Sequence, residues 1–252
     1  MPLAKTLRLF RSKKSQASLS PLMLLSLAAC GGGGSNETAT KTVSGTVVKG
    51  PISNILVFAD LNGDGMHSPN EPYDYTNDNG EYSIRSSQTI DTLVALGKSE
   101  SLDRSSGASA ENIRLVGDAN GSIISPVSTL LYNEQLSESE LKAALGLSDI
   151  EDIYTSPYDG TLSPENALRL EKLNHQIINV IEASETTLIG TGMADKEAFD
   201  TSIDALLLTL ANASSAEKIV DLADSSFSSD MHQAILLQVS NQAQMIEGTA
   251  QQ

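Results

Sequence analysis

The spacing of apolar residues along the chain changes near residue 125. From residue 42 to residue 124, apolar residues alternate with polar ones in short runs that Asn, Asp and Gly interrupt. A period of two is typical of half-buried strands, so we expect several short strands packed as a small β sandwich. The predicted strands are 42–48, 54–59, 81–85 and 92–96, with a closing hairpin formed by 113–116 and 122–124.

From Ser125 onward the period becomes that of an amphipathic helix, which predicts an α-helical bundle. Ser125-Pro126, Ser137 to Glu140 and Ser163-Pro164 have the composition of helix N-caps, and Gly146 that of a helix stop. A further short helix is expected over 216–223. The apolar stripes expected to form the core are Leu170, Leu173, Ile177 and Ile181; Phe199, Ile203, Leu206 and Leu210; and Met231, Ile235, Val239, Ala243 and Ile246.

Residues 1–29 have the layout of a secretory signal: five cations and no acid, then the apolar run 22–29. This run is too short to span a bilayer, which needs roughly 20 apolar residues. It ends at Leu27-Ala28-Ala29-Cys30, which resembles the lipobox of bacterial lipoproteins. The resemblance implies that Cys30 is acylated and becomes the mature N-terminus. An ordinary signal peptide with an incidental Cys is the alternative.

The segment that follows Cys30 has the composition of a flexible tether. Residues 30–41 contain four consecutive Gly followed by Ser, Asn and Thr. Gly31, and not Asp, follows Cys30. In this respect the chain resembles lipoproteins that enterobacteria-like systems deliver to the outer membrane. We therefore expect a protein attached through Cys30 to the bacterial cell envelope, at the outer membrane.

A twelve-residue loop from Asp60 to Glu71 matches the pattern D-x-[DN]-x-[DN]-G-x5-E. Short oxygen-bearing side chains at alternate positions converge on one concavity, and Gly65 permits the sharp turn. An all-oxygen ligand set favours Ca²⁺ over transition metals. The expected metal ligands are Asp60, Asn62, Asp64, the backbone carbonyl of Met66, Ser68 and Glu71.

The flanks of this loop differ from those of a true EF-hand. A β-branched strand precedes the loop, Pro72 follows it, and His67 stands where paired EF-hands usually carry an aliphatic residue. We therefore expect an EF-type calcium loop inserted in a β domain. A polar hairpin turn that binds no ion is the alternative.

Three segments together resemble a known kind of domain. These are 43–52, the loop 60–71, and Thr76-Asn77-Asp78-Asn79-Gly80 with the strand that follows it. They look like a bacterial carboxypeptidase-regulatory-like or surface-adhesin B-type domain. The resemblance covers roughly residues 42–124 and implies a prealbumin-like or immunoglobulin-like sandwich that acts as a stalk, spacer or adhesive module. Asn77 stands where that family commonly has Asp.

Composition excludes several classes of function. The chain has 252 residues and a net charge of −16, and residues from Cys30 onward carry 11 cations against 32 acids, a net charge of −21. Nucleic acid is thereby excluded as a partner, because phosphate binding needs clustered cations. The single Cys excludes a disulfide framework. No common catalytic motif is present, and the lack of Trp argues against a sugar cleft.

These observations predict an α+β chain with five parts: signal peptide 1–29, tether 30–41, calcium-binding β sandwich 42–124, helical domain 125–247 and tail 248–252. We expect no enzymatic activity and a role in surface interaction, adhesion or structure, with an envelope or extracellular protein or polysaccharide as partner. The alternatives are a periplasmic-facing accessory or binding lipoprotein, and a hydrolase whose carboxylate site lies at the β–α junction.

Overall fold

The computed structural model describes residues 40–133 and 135–250, with side chains as far as residue 240. The predicted signal peptide, Cys30 and most of the tether lie outside these residues. The described part is a mixed α+β fold, with strands first and helices after. The strands are β1 (Lys41–Val47), β2 (Ile52–Ser53), β3 (Leu56–Ala59), β4 (Tyr73–Tyr75), β5 (Glu81–Ser86), β6 (Thr92–Leu96), β7 (Leu102–Asp103), β8 (Arg114–Asp118) and β9 (Ile123–Ile124). The helices are α1 (Pro126–Tyr132), α2 (Glu138–Ala144), α3 (Pro164–Gly190), α4 (Asp195–Ser215) and α5 (Ser225–Ala250).

Two sheets enclose one apolar core. One sheet has the strand order β5-β1-β9 and the other β4-β3-β6-β8, while β2 and β7 form a separate pair. The expected alternation is confirmed in β5, where Tyr82 and Ile84 are buried and Glu81, Ser83 and Arg85 are exposed. Core residues from both sheets contact each other and include Val47, Ile84, Ile124, Val57, Leu93 and Leu115.

The predicted closing hairpin is wrong. β8 pairs with β6 in the four-stranded sheet, whereas β9 pairs in parallel with β1 in the other sheet. The turn around Gly121 therefore carries the chain from one sheet to the other. Ile124 is fully buried on the first sheet and Leu115 on the second. The sequence signal for two strands and a turn is the same in both arrangements.

The helix starts lie where the cap residues predict them. Ser125 and Ser137 each accept a hydrogen bond from a backbone amide of the first turn and complete a capping box. Ser163 accepts from the amide of Asn166, and Pro164 occupies the first turn. Gly146 follows the end of α2 with φ of 67°, a left-handed conformation that glycine adopts without strain. The predicted stripes of α3 and α4 are buried in a second core.

Two helix predictions fail in part. Residues 216–223 form turns and irregular chain between α4 and α5, and Val220 donates its amide to the carbonyl of Ala144, 2.7 Å away. In α5, Met231 is buried and Ile235 packs partly against the helical core, but Val239 is exposed. The side chains of Ala243 and Ile246 lie outside the described set.

The strands and helices belong to one compact unit. α1 follows β9 directly, and Thr129 on α1 accepts a hydrogen bond from the amide of Val116 on β8 (3.0 Å). Asn174 on α3 is buried and accepts from the amide of Val127 (3.3 Å). Ile178, also on α3, is buried among the core residues of the two sheets. The long helix α3 therefore contributes to both cores.

We expect Ile178→Ala to destabilise the whole unit. Removing a buried Ile side chain costs about 2–5 kcal/mol, and this one lies in the core of the sheets on a helix that also contributes to the helical core. Urea unfolding followed by far-UV circular dichroism and by Tyr fluorescence should show one transition, shifted equally in both signals. Ile189→Ala, on the same helix at a 42 % exposed position, is the matched control and should stay within about 0.5 kcal/mol of the wild type. Separate shifts in the two signals would contradict this coupling.

Candidate functional site

The loop between β3 and β4 is organised around the side chain of Asp60. Its two carboxylate oxygens accept hydrogen bonds from the amides of Gly63 (2.8 Å) and Gly65 (2.9 Å). Both glycines have positive φ, 76° and 68°, which lets the chain turn back on itself so that these amides face the carboxylate. Asp60, the first position of the predicted calcium pattern, therefore holds the turn through both of its carboxylate oxygens.

Three other polar side chains of the loop also hydrogen-bond within it, although Asn62 and Asp64 are exposed. Asn62 accepts from the amide of Asp64 through Oδ1 (3.0 Å) and donates to Asp64 Oδ2 through Nδ2 (2.8 Å). Glu71, which is buried, accepts from the amide of Leu61 through Oε1 (2.9 Å) and from the amide of Ser68 through Oε2 (2.8 Å). Glu71 therefore joins the beginning and the end of the loop.

The donor chemistry of the loop suits a hard cation. The side chains at positions 1, 3, 5 and 12 all offer oxygen, and an ionised carboxylate has about four lone-pair sites, so accepting two amides leaves others open. The Met66 side chain is exposed, and its amide donates to Asp64 Oδ1 (2.7 Å). Within the described ranges, no three His, Cys, Asp or Glu side chains are close enough to hold a metal by themselves. Calcium binding stays a prediction.

An aromatic row lies beside the loop. The ring of His67 is 5.4 Å from that of the buried Phe58 and 4.7 Å from that of Tyr73, and Tyr73 is 6.0 Å from Tyr75. Successive rings meet edge to face or tilted, an arrangement that is favourable for aromatic pairs. His67 thus covers Phe58, and the loop packs over the face of the four-stranded sheet that bears Phe58.

Arg114 on β8 joins this loop to the helices. Its Nη1 atom donates to the carbonyl of Gly65 (2.8 Å), and its guanidinium lies 5.6 Å from the centre of the Phe199 ring on α4. Such a cation–π contact contributes roughly 0.5–2 kcal/mol, depending on its exposure to water. The Arg114 side chain therefore contacts both the loop and α4.

Glu185 on α3 is the acid near this contact whose ionisation is most affected. Burial raises the pKa of Glu185 to about 7 from its ordinary value of 4.5. The positive charge of Arg114 acts in the opposite direction, while the negative charges of Glu182, Asp195 and Asp200 raise this pKa further. The junction therefore contains a carboxyl group that changes charge near neutral pH.

A second polar cluster lies where the chain after β1 meets α3. Asp103 is fully buried, and its Oδ2 atom lies 3.4 Å from Lys49 Nζ and 3.9 Å from His175 Nε2. Its Oδ1 atom accepts from the amide and the hydroxyl of Ser105 and from the amide of Ser106. Burial by itself raises the pKa of Asp103, but these hydrogen bonds and Lys49 together hold it below its usual value.

This cluster connects the β part of the fold to helix α3 through Asp103 and His175. We call Lys49, Asp103, Ser105 and His175 together the Asp103 clamp. The Ser105 hydroxyl donates a hydrogen bond to Asp103 (2.7 Å), whereas a nucleophilic Ser would donate to a base such as His175. A Cβ on Gly50 would collide with Ser105 Oγ and Asp103 Oδ1, so the backbone must pass closely at this point. Burial raises the pKa of Tyr158, and its hydrogen bond to Glu171 raises it further.

Two surface grooves lie on the helices. One, of about 650 Å³, lies between α4 and α5 and includes Ile219, Phe227 and Leu237, and the other lies beside α2. Neither contains a residue of the calcium-type loop or of the Asp103 cluster. These grooves therefore do not point to a site at the β–α junction.

The sequence pattern missed Arg114, Asp103 and Lys49. Arg114 lies in a predicted strand, and Asp103 lies between the predicted strands 92–96 and 113–116, where no local pattern distinguishes a buried charge from an exposed one. Lys49 and Asp103 are far apart in the chain, so only the folded structure brings them together.

Comparison with protein families, with curated proteins and with solved structures finds no match to this chain. Among the helices that the structure describes, none combines the length and the apolar character needed to cross a membrane.

We expect the stability of this protein to fall as pH rises from about 4.5 to about 7, in part because of Glu185. The folded-state pKa is raised above the ordinary value, so the folded state keeps the proton longer and is disfavoured once the group ionises. Glu185→Gln should therefore add about 1–2 kcal/mol at pH 8, less than the full shift implies because the side chain is only half-buried. At pH 4 it should change nothing.

The matched control for this experiment is Glu111→Gln, at an exposed position in the loop before β8. Urea unfolding of both variants at pH 4 and pH 8 tests the expectation. An equal effect of Glu185→Gln at the two pH values would show that the ionisation of Glu185 does not contribute to the pH dependence of stability.

Proposed function

We propose that this protein is a lipid-anchored component of the bacterial cell envelope whose β part is stabilised by calcium and serves as a non-enzymatic module for surface interaction, adhesion or structure. The observation that carries the proposal is the hydrogen bonding of the loop 60–71, in which side-chain oxygens of Asp60, Asn62, Asp64 and Glu71 each accept from backbone amides of the loop. The elements that precede and follow the loop in the chain are strands, β3 and β4, and not helices.

Calcium would act here by neutralising charge. Three carboxylates in a short loop repel one another unless a cation or amide dipoles lie between them. An ion held by Asp60, Asn62, Asp64, the Met66 carbonyl, Ser68 and Glu71 would fix a conformation that the amides already favour. At a calcium concentration of 100 times the dissociation constant, binding would add about 2.7 kcal/mol to stability.

The envelope location rests on the lipobox-like segment before Cys30. Several acyl chains on Cys30 would hold the mature protein at the outer membrane, since each buried methylene contributes about 0.8 kcal/mol. The ten residues after Cys30 reach at most roughly 35 Å, which sets the distance of β1 from the bilayer. A protein or polysaccharide of the envelope or the extracellular space is the proposed partner.

The finer fold assignment is part of this proposal. The shared core of the β5-β1-β9 and β4-β3-β6-β8 sheets supports a prealbumin-like or immunoglobulin-like sandwich. The core of α1 to α5, with the buried stripes of α3 and α4, supports a bundle after it. Sandwiches of the carboxypeptidase-regulatory-like or adhesin type serve as stalks and spacers, which fits a tethered domain.

A binding lipoprotein is the second candidate. The groove of about 650 Å³ between α4 and α5 favours it, because Ile219 and Leu237 offer exposed apolar surface there. The hydrolase alternative gains less support. The hydrolase site was proposed for the β–α junction, where the Asp103 clamp lies. There Ser105 donates a hydrogen bond to the carboxylate of Asp103 and not to His175.

Removing calcium should lower the melting temperature of the mature protein. The loss of about 2.7 kcal/mol corresponds to a fall of roughly 5–10 °C in a domain of this size. Differential scanning calorimetry in excess Ca²⁺ and in EDTA measures this difference. Asp60→Ala should abolish the calcium-dependent shift, whereas Glu100→Ala, which removes an exposed acid outside the loop, should keep it. An EDTA-insensitive midpoint in the wild type would rule out the calcium site.

Cys30→Ser should release the protein from the membrane. The substitution removes the thiol that would be acylated and leaves the leader otherwise intact. In a Gram-negative host, we expect the wild type in the membrane fraction with incorporated labelled palmitate, and the variant without label and outside that fraction. Ser35→Ala, in the same tether, is the control and should behave as the wild type. Palmitate label retained in Cys30→Ser would contradict the assignment.

A further inference from the structure

Helix α4 places a lysine against the calcium-type loop. Gly65 is buried, and a Cβ built on it would lie 3.2 Å from Arg114 Nη1 and 3.2 Å from Cε of Lys196, the carbon that carries the ammonium group. Lys196 belongs to the first turn of α4, and its side chain is 35 % exposed. A strand and a helix therefore each bring one positive charge to the same turn of the loop 60–71.

The position of this turn relative to the predicted ion ligands matters. Gly65 stands between Asp64 and Met66, which are both expected to bind the ion. Arg114 donates to the carbonyl of Gly65, an oxygen outside the predicted ligand set. The two cations therefore lie beside the site while the Met66 carbonyl, the ligand expected from the backbone, belongs to the next residue.

A positive charge beside a cation site lowers the affinity of that site. Like charges repel, and the repulsion doubles when one of them is divalent. The ligand set is also of moderate charge, since Asn62 at its third position contributes an amide and not a carboxylate. Ligand charge and rigidity set the calcium affinity of loops of this kind, which is high in cytosolic buffers and low in extracellular modules.

We propose that Lys196 regulates the calcium site, its charge adding to that of Arg114 and weakening binding so that the loop fills only at extracellular calcium concentrations. The inference rests on the calcium site of the proposed function and goes further by making its affinity depend on α4. Arg114 also holds the turn at Gly65, so removing it would change the shape of the site. Lys196 can lose its charge while an aliphatic side chain stays in place.

The acids around Lys196 do not change the sign of this effect. Asp195 and Glu197 share the first turn of α4 with it, and Asp200 is its ion-pair partner at 2.7 Å. These carboxylates remain when Lys196 loses its charge, so the potential at the loop becomes more negative and favours a bound cation. Partly exposed ion pairs contribute little to stability, so α4 should stay folded without this one.

The test is isothermal titration calorimetry of calcium into the mature protein. For the wild type we expect a dissociation constant on the order of 10⁻⁴–10⁻³ M, the range of extracellular modules. Lys196→Met should tighten binding about threefold, because it removes one repelling charge. Lys196→Arg keeps the charge and should bind calcium as the wild type does.

Salt separates an effect of charge from an effect of packing. Raising KCl from about 0.1 M to about 1 M shortens the screening length from about 10 Å to about 3 Å, so the gain of Lys196→Met should disappear. A gain that comes from altered packing would persist at the higher salt concentration, and would overturn the proposal.

Lys142→Met is the matched control. Lys142 also forms an ion pair with an acid of its own helix, Glu138, but it lies on α2. Its substitution should leave the calcium affinity unchanged. Calcium binding that Lys196→Met fails to tighten, or that Lys142→Met tightens equally, overturns the role of Lys196 and leaves the calcium site standing. A wild type that binds no calcium overturns both.

Discussion

Strand β3 is buried on both of its faces, and the arrangement of the other elements follows from what covers each face. Val57 and Ala59 face the core shared by the two sheets, while Leu56 and Phe58 belong to a separate apolar cluster with Val94. An antiparallel sheet often leaves one face in water, but this sheet does not. His67 of the calcium-type loop lies against Phe58, and Val116 of the same sheet packs against the helical core. The loop and the helices therefore cover the face of the four-stranded sheet that the other sheet does not cover.

Charged side chains take part in two of the polar contacts that connect the sheets and the loops beside them to the helices. Arg114 links the loop carbonyl of Gly65 to Phe199, and Lys49 and His175 approach the buried oxygen of Asp103. Buried ion pairs add little net stability compared with apolar packing, but they are costly to break because the remaining charge is unpaired. These two contacts therefore fix how the helices lie on the sheets more than how tightly they are held.

The sequence predicts most elements of this fold, because strand periodicity and helix caps are local. Ser125, Ser137 and Ser163 locate three helix starts, and Asp60 to Glu71 locates the loop. The sequence does not predict that β9 leaves β8 to pair with β1, since both pairings satisfy the same alternation. Nor does it reveal Arg114 or Asp103 as contact points, because burial of a charge depends on residues distant in the chain. The ion, the acyl group and the partner of the loop stay predictions.

The parallel pairing of β9 with β1 has a consequence for how the chain comes to be folded. β1 begins at Lys41, but its second neighbour is made only when the chain reaches Ile123 and Ile124. Until then β1 has an open edge, which is a hazard for aggregation, and pairings between distant segments form slowly. The export proposed for this chain would require such a delay, because an exported chain crosses the inner membrane before it folds. The late completion of the β5-β1-β9 sheet would then keep the chain unfolded, and so able to be exported, until Ile123 and Ile124 have been made.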